Sequence, residues 1–383
     1  MKTNIPERIA ALREAMRQQK VDAYIIPSSD PHLSEYPADR WKSREWISGF
    51  TGSAGAIVVT ADKAGLWTDS RYFLQAASQL EGSGIELYKL ALPETPSITE
   101  FLLHELHAGQ AVGLDGQTYS AAEASALANK LSRKEIKLDT SADLIEGIWK
   151  DRPAVPGNPI FEMPEALSGA SVHEKLDLIN NQLRSEGADC LILAALDEIA
   201  WTFNIRGTDV TYNPVVVSYA FVSEDESVLF IKPEKLTAEI TEHLKKEGVT
   251  LAEYSMIQRY LSRLPENSRV FVDMNKTNVS LYDAIPGSCT IVEGISPANH
   301  LKSIKNETEI KGFQNAVVKD GVALTKFYIW LEKKMAEGAQ VTESSAAEKL
   351  TALRAEQPQY SMDSFGTICG YAEHGEIVHY SAT

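Results

Sequence analysis

ERIAALREAMRQQKVDAYIIPSSD at positions 7–30 and EKLDLINNQLRSEGADCLILAALD at positions 174–197 are the two stretches of the 383-residue chain that decide its fold. They align without a gap. In each, apolar residues recur at the spacing of one helix face, and a short polar turn leads into an apolar run of strand character. An aspartate precedes each run and another ends it (Asp22, Asp30, Asp189 and Asp197). The repeat predicts two similar α/β domains that both open with a helix, a turn and a strand.

Two breaks divide the chain. KDRPAVPGNPIFEMPEA at positions 150–166 carries four prolines, which is typical of an extended linker. In GISPANHLKSIKNETEI, at positions 294–310, Pro297 ends one element, and Asn306 followed by Glu309 is the signature of a capped helix. We therefore expect a first domain at residues 1–150, a second at residues 151–300 and a third segment at residues 301–383.

The third segment is shorter than an ordinary domain. Its pattern predicts two helices joined by a glycine-containing loop, and then strands over MDSFGTICGYAEHGEIVHY at positions 362–380, with His374 on a turn. A domain usually needs about 100–150 residues, so we expect residues 301–383 to be an incomplete domain.

Composition limits the classes of function. The 53 acidic residues outnumber the 37 basic ones and give a formal net charge of −16, which argues against nucleic acid or an anionic membrane surface as a partner. No stretch approaches the ~18 consecutive apolar residues of a membrane span, and the N-terminus has no apolar signal core. The three cysteines are far apart and form no disulfide or metal-binding pattern. These features predict a cytoplasmic protein in a reducing compartment.

Several motifs have simple structural explanations. FTGSAG lacks the lysine and spacing of a phosphate-binding loop, so a tight connection between strands is the better interpretation. His104 and His107 have no third metal ligand nearby and fit a solvated helix face. The charged residues of DEIAWTFNIRGTD, at positions 197–209, are interpreted as a structural polar cluster rather than a cleft.

Six motifs, spread from one end of the chain to the other, together resemble one enzyme family. They are IIPSSDPHLSEY, ISGFTGSAGAIVVT, LWTDSRYFLQA, LDEIAWTFNIRGTDVTYNPVV, SIKNETEIKGFQNAVVKDGVAL and EIVHY. In this order they resemble the cytosolic three-domain Xaa-Pro aminopeptidases, or aminopeptidases P. The resemblance implies two related creatinase-N-like α/β domains with mixed sheets, followed by the start of a pita-bread α/β catalytic domain.

The resemblance also implies an activity. Members of this family remove the N-terminal residue from peptides whose second residue is proline, usually with two manganese ions, and are commonly homodimers. The family's metal ligands follow the HY motif, so here they are expected beyond Thr383, with none within the chain. The expectation is therefore that these 383 residues alone do not hydrolyse peptides. The alternative is a non-catalytic pita-bread binding module for a peptide, a histone or RNA.

Three site residues follow from the matched motifs. His379, in EIVHY, matches the family's active-site histidine, which implies a catalytic and substrate-binding role; the alternative is a structural histidine on a strand. Arg71, in WTDSRYFLQA, matches an arginine that binds substrate, although an ion pair with Asp69 is the alternative. Glu35 follows as a substrate-binding carboxylate, with a helix-capping or surface role as the alternative.

Overall fold

The structure, a computed structural model, describes residues 4–382; positions 1–3 and Thr383, which the predicted domains include, lie outside the described residues. The first α/β domain also contains short 3-10 turns at Asp39–Trp41 and Ser70–Tyr72. Its helices and strands, in chain order, are α1 (Ile5–Gln19), β1 (Ala23–Pro27), α2 (Ser43–Ser48), β2 (Ala56–Thr60), β3 (Ala64–Thr68), α3 (Phe73–Gln79), β4 (Glu86–Lys89), α4 (Ile98–Glu105), β5 (Ala111–Leu114), α5 (Ala121–Ser132), β6 (Lys137–Asp139) and α6 (Leu144–Ile148).

The strands of this domain form one mixed sheet in the order β4-β3-β2-β1-β5-β6. Strand β2 is antiparallel to β1 and β3, whereas the other pairs are parallel. Helices cover both faces, since Tyr24 and Ile26 of β1 lie in one apolar cluster with α1, and Ala23 and Ile25 lie in another with α4 and α5. The central strand is therefore buried on both sides, which explains its unbroken apolar run.

The second α/β domain follows the proline-rich linker. Short 3-10 turns lie at Pro233–Lys235 and Tyr254–Met256. Its helices and strands are β7 (Phe161–Glu162), α7 (Glu165–Ser168), α8 (Val172–Glu186), β8 (Cys190–Leu193), α9 (Leu196–Thr202), β9 (Ile205–Arg206), β10 (Ser218–Ser223), β11 (Ser227–Ile231), α10 (Ala238–Lys246), β12 (Val249–Ala252), α11 (Ile257–Leu261), β13 (Arg269–Val272), α12 (Val279–Asp283), β14 (Thr290–Glu293) and α13 (Pro297–Ser303).

The main sheet of this domain repeats the first. Its order is β12-β11-β10-β8-β13-β14, with β10 antiparallel to β8 and β11 and the remaining pairs parallel; β7 and β9 form a small separate pair. The predicted fold class and the predicted internal repeat are thus confirmed. The boundaries at residues 150 and 300 stay a prediction.

The first aspartate of each repeat has the same structural role. Asp22 accepts a hydrogen bond from the backbone N–H of Ala111 at the start of β5, with an oxygen–nitrogen distance of 2.8 Å. Asp189 accepts one from the backbone N–H of Arg269 at the start of β13, also at 2.8 Å. Each carboxylate therefore fixes the neighbouring parallel strand beside the repeat unit, which explains why an aspartate precedes both apolar runs.

The third segment contains two helices, α14 (Glu307–Ala336) and α15 (Glu343–Ala355), that pack against each other. Asn306 and Glu309 form the predicted capping box at the start of α14. The strands predicted over residues 362–380 are absent: this stretch has irregular backbone and a 3-10 turn, Ala372–Glu376, which carries His374. A strand needs a neighbouring strand for its backbone hydrogen bonds. Here the side chain of Glu343, at the start of α15, binds the Tyr371 backbone and the His374 ring instead.

The two α/β domains contact each other through a loop of the first. His32 is fully buried, with Nδ1 at 2.9 Å from the carbonyl oxygen of Ala194 and Nε2 at 2.9 Å from Tyr254 Oη. The amide of Asn278 donates to the carbonyl oxygen of Pro31 at 2.7 Å. Because polar groups of the loop are satisfied by the second domain, the two sheets are held in a defined relation.

Within residues 4–382, no helix combines the length and the apolar character that a membrane crossing requires. The three cysteines, Cys190, Cys289 and Cys369, are free thiols. Burial raises the pKa of Cys190 to about 12, so this thiol stays protonated at neutral pH.

Candidate functional site

A cleft of about 830 Å³ opens where three separate parts of the chain meet. The first domain contributes a wall between Glu35 and Glu45, the second contributes residues 208–212, and the third segment contributes residues 364–368 and 379–381. Convergence of distant stretches at one concavity is typical of a ligand site.

Arg71 lies beside the cleft, on the 3-10 turn that follows β3. Asp69 caps this turn and accepts from Arg71 Nε and Nη2, both at 2.8 Å, so the guanidinium fork is fixed by a bidentate ion pair. These hydrogen bonds from Arg71 hold the pKa of Asp69 below its usual range. The ion pair considered as the alternative role of Arg71 is therefore present, and it leaves Nη1 for a different partner.

His379 is that partner, although it lies 308 positions further along the chain. Arg71 Nη1 is 3.2 Å from His379 Nε2, and a guanidinium can only donate. A hydrogen bond between these two atoms therefore has Nε2 as the acceptor, which corresponds to the tautomer with the proton on Nδ1. The structure thus brings together two of the residues that the sequence singles out.

Tyr72 positions the imidazole, and sequence reasoning missed it. Its ring stacks on His379 with centroids 5.3 Å apart and an interplanar angle of 21°. Tyr72 itself is buried, packs edge-on against Phe50, and shares a 2.7 Å hydrogen bond with Ser53 Oγ. A fixed ring therefore supports one face of His379. The only sequence signal was its place directly after Arg71 in the same motif.

Glu35 is exposed and lines the same cleft as His379. The loop that carries it is ordered by Asp30, whose Oδ1 accepts from the backbone N–H groups of His32 and Ser34 at 2.9 and 3.0 Å. Glu35 also contributes to the raised pKa of Arg71, after the larger effect of Asp69. Within the described residues, the Glu35 carboxylate caps no helix. It is therefore open to a ligand.

The wall from the second domain rests on a buried ion pair. Asp209 lines the cleft with its backbone, while its carboxylate bonds the ammonium of Lys235 and accepts from Val217 N–H at 2.7 Å. The side chains of Lys235 and Asp209 are 0% and 1% exposed. The sequence suggested a structural cluster rather than a cleft for residues 197–209; the Asp209 carboxylate agrees with that interpretation, whereas Thr208 and Asp209 also line the cleft.

Residues 4–382 contain no group of three or more histidine, cysteine, aspartate or glutamate side chains that could hold a metal ion. Asp69 and His379 are both near Arg71, but a cationic neighbour disfavours a divalent ion at that point. The residues present therefore do not fit a two-metal centre, and no step of the chemistry is routed through one here.

Comparison with known proteins identifies the two sheets. Residues 8–148 and residues 151–309 each match the family described as Creatinase/Prolidase N-terminal domain. The matched ranges cover the two repeated sheets and their helices.

Similar proteins extend the likeness to nearly the whole chain. A probable Xaa-Pro aminopeptidase P of Laccaria bicolor is 38% identical over 98% of this chain and 59% of its own length. A Xaa-Pro aminopeptidase of Drosophila melanogaster is 35% identical over 99% of this chain and 64% of its own length. The chain thus spans about three fifths of the length of these relatives.

A solved structure gives the same result in three dimensions. The X-prolyl aminopeptidase from Caenorhabditis elegans, described as a cytosolic enzyme with a di-nuclear active site, superposes with a TM-score of 0.93 at 30% identity. The match covers 98% of this chain and 64% of that one. By its two repeated domains the chain therefore belongs to the creatinase/prolidase N-terminal domain family, and over its whole length it is a homologue of the aminopeptidases P.

Proposed function

We propose that this protein acts in the hydrolysis of peptides with proline in the second position, releasing their N-terminal residue. The observation that carries the proposal is the 3.2 Å contact between Arg71 and His379 at the edge of a large cleft. A substrate site formed by the first domain and the C-terminal segment requires these two parts to meet, and this contact joins them. The likeness to aminopeptidases P favours this activity over the non-catalytic binding module.

His379 is proposed as the catalytic group among these residues. With Nε2 accepting from Arg71, its Nδ1–H is the free donor, and a neutral imidazole can donate to a carbonyl oxygen that gains negative charge during attack. The Tyr72 ring restricts its rotation. The donor is therefore held ready before the substrate binds, which lowers the reorganisation needed in the transition state.

Arg71 and Glu35 are proposed to bind the peptide. Arg71 keeps its charge at all physiological pH values and reaches the rim of the cleft beside His379, where a peptide carbonyl can share its Nη1. Glu35 offers an exposed carboxylate in the same cleft, suited to a substrate ammonium group. Neither residue provides a nucleophile, so both roles concern binding.

We propose two divalent metal ions as cofactors, with manganese the expected metal; when bound they would supply an activated water. The likeness to a relative with a di-nuclear active site supports this proposal, and by the family resemblance we propose that the ligands of these ions follow the HY motif at positions 379–380. A cytoplasmic location and a homodimeric full-length enzyme complete the proposal.

We also propose the division of the chain into residues 1–150, 151–300 and 301–383. The third part is proposed as the beginning of the pita-bread domain. One observation supports it: α14 exposes a row of large apolar side chains on one face, among them Ile310, Phe313, Val317 and Tyr328, each at least 45% exposed. A helix with such a face needs a further surface to cover it.

The direct test is a peptidase assay on the protein expressed from its complete reading frame, with Mn²⁺ added. We expect release of the first residue from Arg-Pro-Gly-Lys-Tyr-Lys and none from the same peptide with alanine in the second position. Equal release from both peptides, or from neither, would contradict the proposed function.

A further inference from the structure

Three large aromatic side chains are exposed in one cleft. Tyr36 of the first domain is 50% exposed, Tyr212 of the second is 44% exposed, and Phe365 of the third segment is 57% exposed. All three line the cleft that contains Glu35 and His379. One exposed aromatic residue is ordinary, whereas three from three different parts of the chain at one concavity indicate a binding surface.

Tyr212 is held there at a conformational cost. Its backbone φ is +64°, in the left-handed region that bulky side chains rarely adopt. Strain of this kind persists only where the surroundings enforce it, and it concentrates at ligand-binding positions. Tyr212 is therefore a candidate ligand-binding residue.

The loop around Tyr212 is firmly anchored. The buried carboxylate of Asp209 bonds Lys235 and the backbone of Val217, and Asn158 Nδ2 donates to the carbonyl oxygen of Thr208 at 3.0 Å. Val210 and Asn213 form a backbone bridge across the loop. The aromatic ring is thus presented on a rigid support, which reduces the entropy lost when a ligand packs on it.

Another part of the chain already packs beside the ring. A Cβ placed on Gly366 would lie 3.3 Å from Tyr212 Oη and 3.5 Å from Cε2, so the glycine backbone of the third segment lies close to one side. The remaining exposed part is available to the cleft. The backbone at Gly366 therefore lies close to the Tyr212 ring.

The basic and acidic side chains that line the cleft differ in their contacts. The three basic ones each have a partner: Arg40 bonds the carbonyl oxygen of Pro153 and Glu146, Lys42 pairs with Asp39, and Arg44 donates to the carbonyl oxygens of Phe50 and Gly52, although its buried Nε has no partner within residues 4–382.

The carboxylates of Glu35 and Glu45, in contrast, form no ion pair with any cation of residues 4–382 at up to 4.0 Å, although the Arg44 guanidinium lies near Glu45. The cleft therefore offers free acceptors and aromatic faces. Both suit a ligand that carries cationic donors.

We infer that this cleft binds the part of a peptide that follows the proline, with Tyr212 as the principal platform and a preference for lysine or arginine there. The inference rests on the proposed function for the direction of the peptide, and it adds a substrate class: basic peptides longer than a dipeptide. The volume of about 830 Å³ lies within the roughly 300–1,000 Å³ of sites that take a drug-sized ligand, so the cleft can hold several peptide side chains.

The test is fluorescence anisotropy of a C-terminally labelled peptide, Arg-Pro-Gly-Lys-Tyr-Lys, titrated with the 383-residue chain at low salt. We expect saturable binding that Tyr212→Asn weakens by about tenfold, because the stacking surface is lost. Asparagine tolerates a left-handed backbone, so the loop should keep its shape. Tyr212→Phe, which keeps the ring, should bind like wild type.

A matched control is Tyr371→Ala, since Tyr371 is the more exposed residue at 79% and does not line the cleft. It should bind the peptide unchanged. A second arm replaces both peptide lysines with glutamate, which should weaken binding to the unaltered chain at least tenfold. This arm depends on no variant, so it remains decisive if Tyr212→Asn folds poorly.

The inference is overturned if the wild-type chain does not bind the basic peptide, if the acidic peptide binds equally, or if a folded Tyr212→Asn chain binds normally. Its failure is separate from that of the proposed function. Binding by the chain without cleavage by the protein of the complete reading frame would overturn only the function, and cleavage that ignores Tyr212 and peptide charge would overturn only this inference.

Discussion

The same turn of the repeated fold has opposite environments in the two α/β domains. After β3 the 3-10 turn presents Arg71, whose side chain is 42% exposed, paired with Asp69 and in contact with His379. After β11 the equivalent turn presents Lys235, whose side chain is 0% exposed and paired with Asp209. Arg71 therefore faces a cleft, whereas Lys235 is buried inside its domain.

The neighbours of each turn explain the difference. The linker covers the second turn, because Ile160 N–H donates to the carbonyl oxygen of Lys235 at 3.1 Å. Among the described residues, the linker donates no backbone hydrogen bond to the first turn, and Arg71 of that turn contacts the distant C-terminal segment instead. The comparison shows that the repeated topology fixes the backbone position of each cation. The segment that packs against the turn then decides whether the side chain stabilises the fold or binds a ligand.

The largest expected effect follows from breaking the buried ion pair between Lys235 and Asp209. Lys235→Ala should reduce the free energy of unfolding by about 3–5 kcal/mol, because the charge of Asp209 would stay buried without its partner. Chemical denaturation measures this. The double variant Lys235→Met/Asp209→Asn should recover part of the loss, and a Lys235→Ala protein as stable as wild type would contradict the structural role of the pair.

His379→Ala comes next and concerns activity rather than stability. In the protein of the complete reading frame it should lower kcat and kcat/KM together by ~10²-fold or more, because an oxyanion donor acts mainly in the transition state. Metal content, measured on the same samples, should not change. A variant that loses bound metal in proportion to activity would instead assign His379 to the metal site.

Arg71→Ala should have a smaller effect, mainly through KM. The guanidinium holds a part of the peptide away from the reacting bond, so we expect about a tenfold rise in KM on a hexapeptide and less on a tripeptide. The stability of the folded protein should hardly change, since the ion pair between Arg71 and Asp69 is exposed to solvent. Arg71→Lys should rescue little, because an ammonium lacks the fork. Unchanged kinetics on both peptides would leave Arg71 as a structural ion pair.

The remaining prediction is a pH dependence of the contact between the two α/β domains. Burial lowers the pKa of His32, and this effect outweighs the negative charge of Asp30, which raises it. Asp209 and Lys235 of the second domain also face His32. The unfolded chain then binds more protons than the folded one below pH ~6.5, so stability should be complete above that pH and fall at lower pH by up to about 1.4 kcal/mol per unit. Thermal melts of wild type and His32→Gln between pH 7.5 and 5 measure it. Equal slopes would contradict the role of His32.

Much of the fold could be predicted from apolar periodicity. The spacing of Ile9 and Leu12 in one repeat, and of Leu176 and Ile179 in the other, reports burial on one helix face, and all four side chains are buried. The strands expected over residues 362–380 were wrong for the converse reason. Local alternation can favour a strand, but only a neighbouring strand can complete one.

The site was predictable only in part. The matched motifs singled out Arg71 and His379, yet their contact joins residues 308 positions apart and depends on the tertiary arrangement. Tyr72 and Tyr212 lie within two of the matched motifs, but nothing in those motifs marks either tyrosine as a site residue. The Asn213-Pro214 pair after Tyr212 indicates a turn but reveals neither the left-handed φ nor the exposed ring.

The central claim is that Arg71 and His379 act within one site, and a double-mutant cycle on kcat/KM tests it most directly. The protein of the complete reading frame would be assayed as wild type, Arg71→Ala, His379→Ala and the double variant on one Xaa-Pro hexapeptide. If the two residues acted independently, the fold losses in kcat/KM of the single variants would multiply in the double variant. We predict that kcat/KM of the double variant is at least about fivefold higher than that, because contacting residues couple by roughly 1 kcal/mol or more. Losses that multiply independently would contradict the shared site.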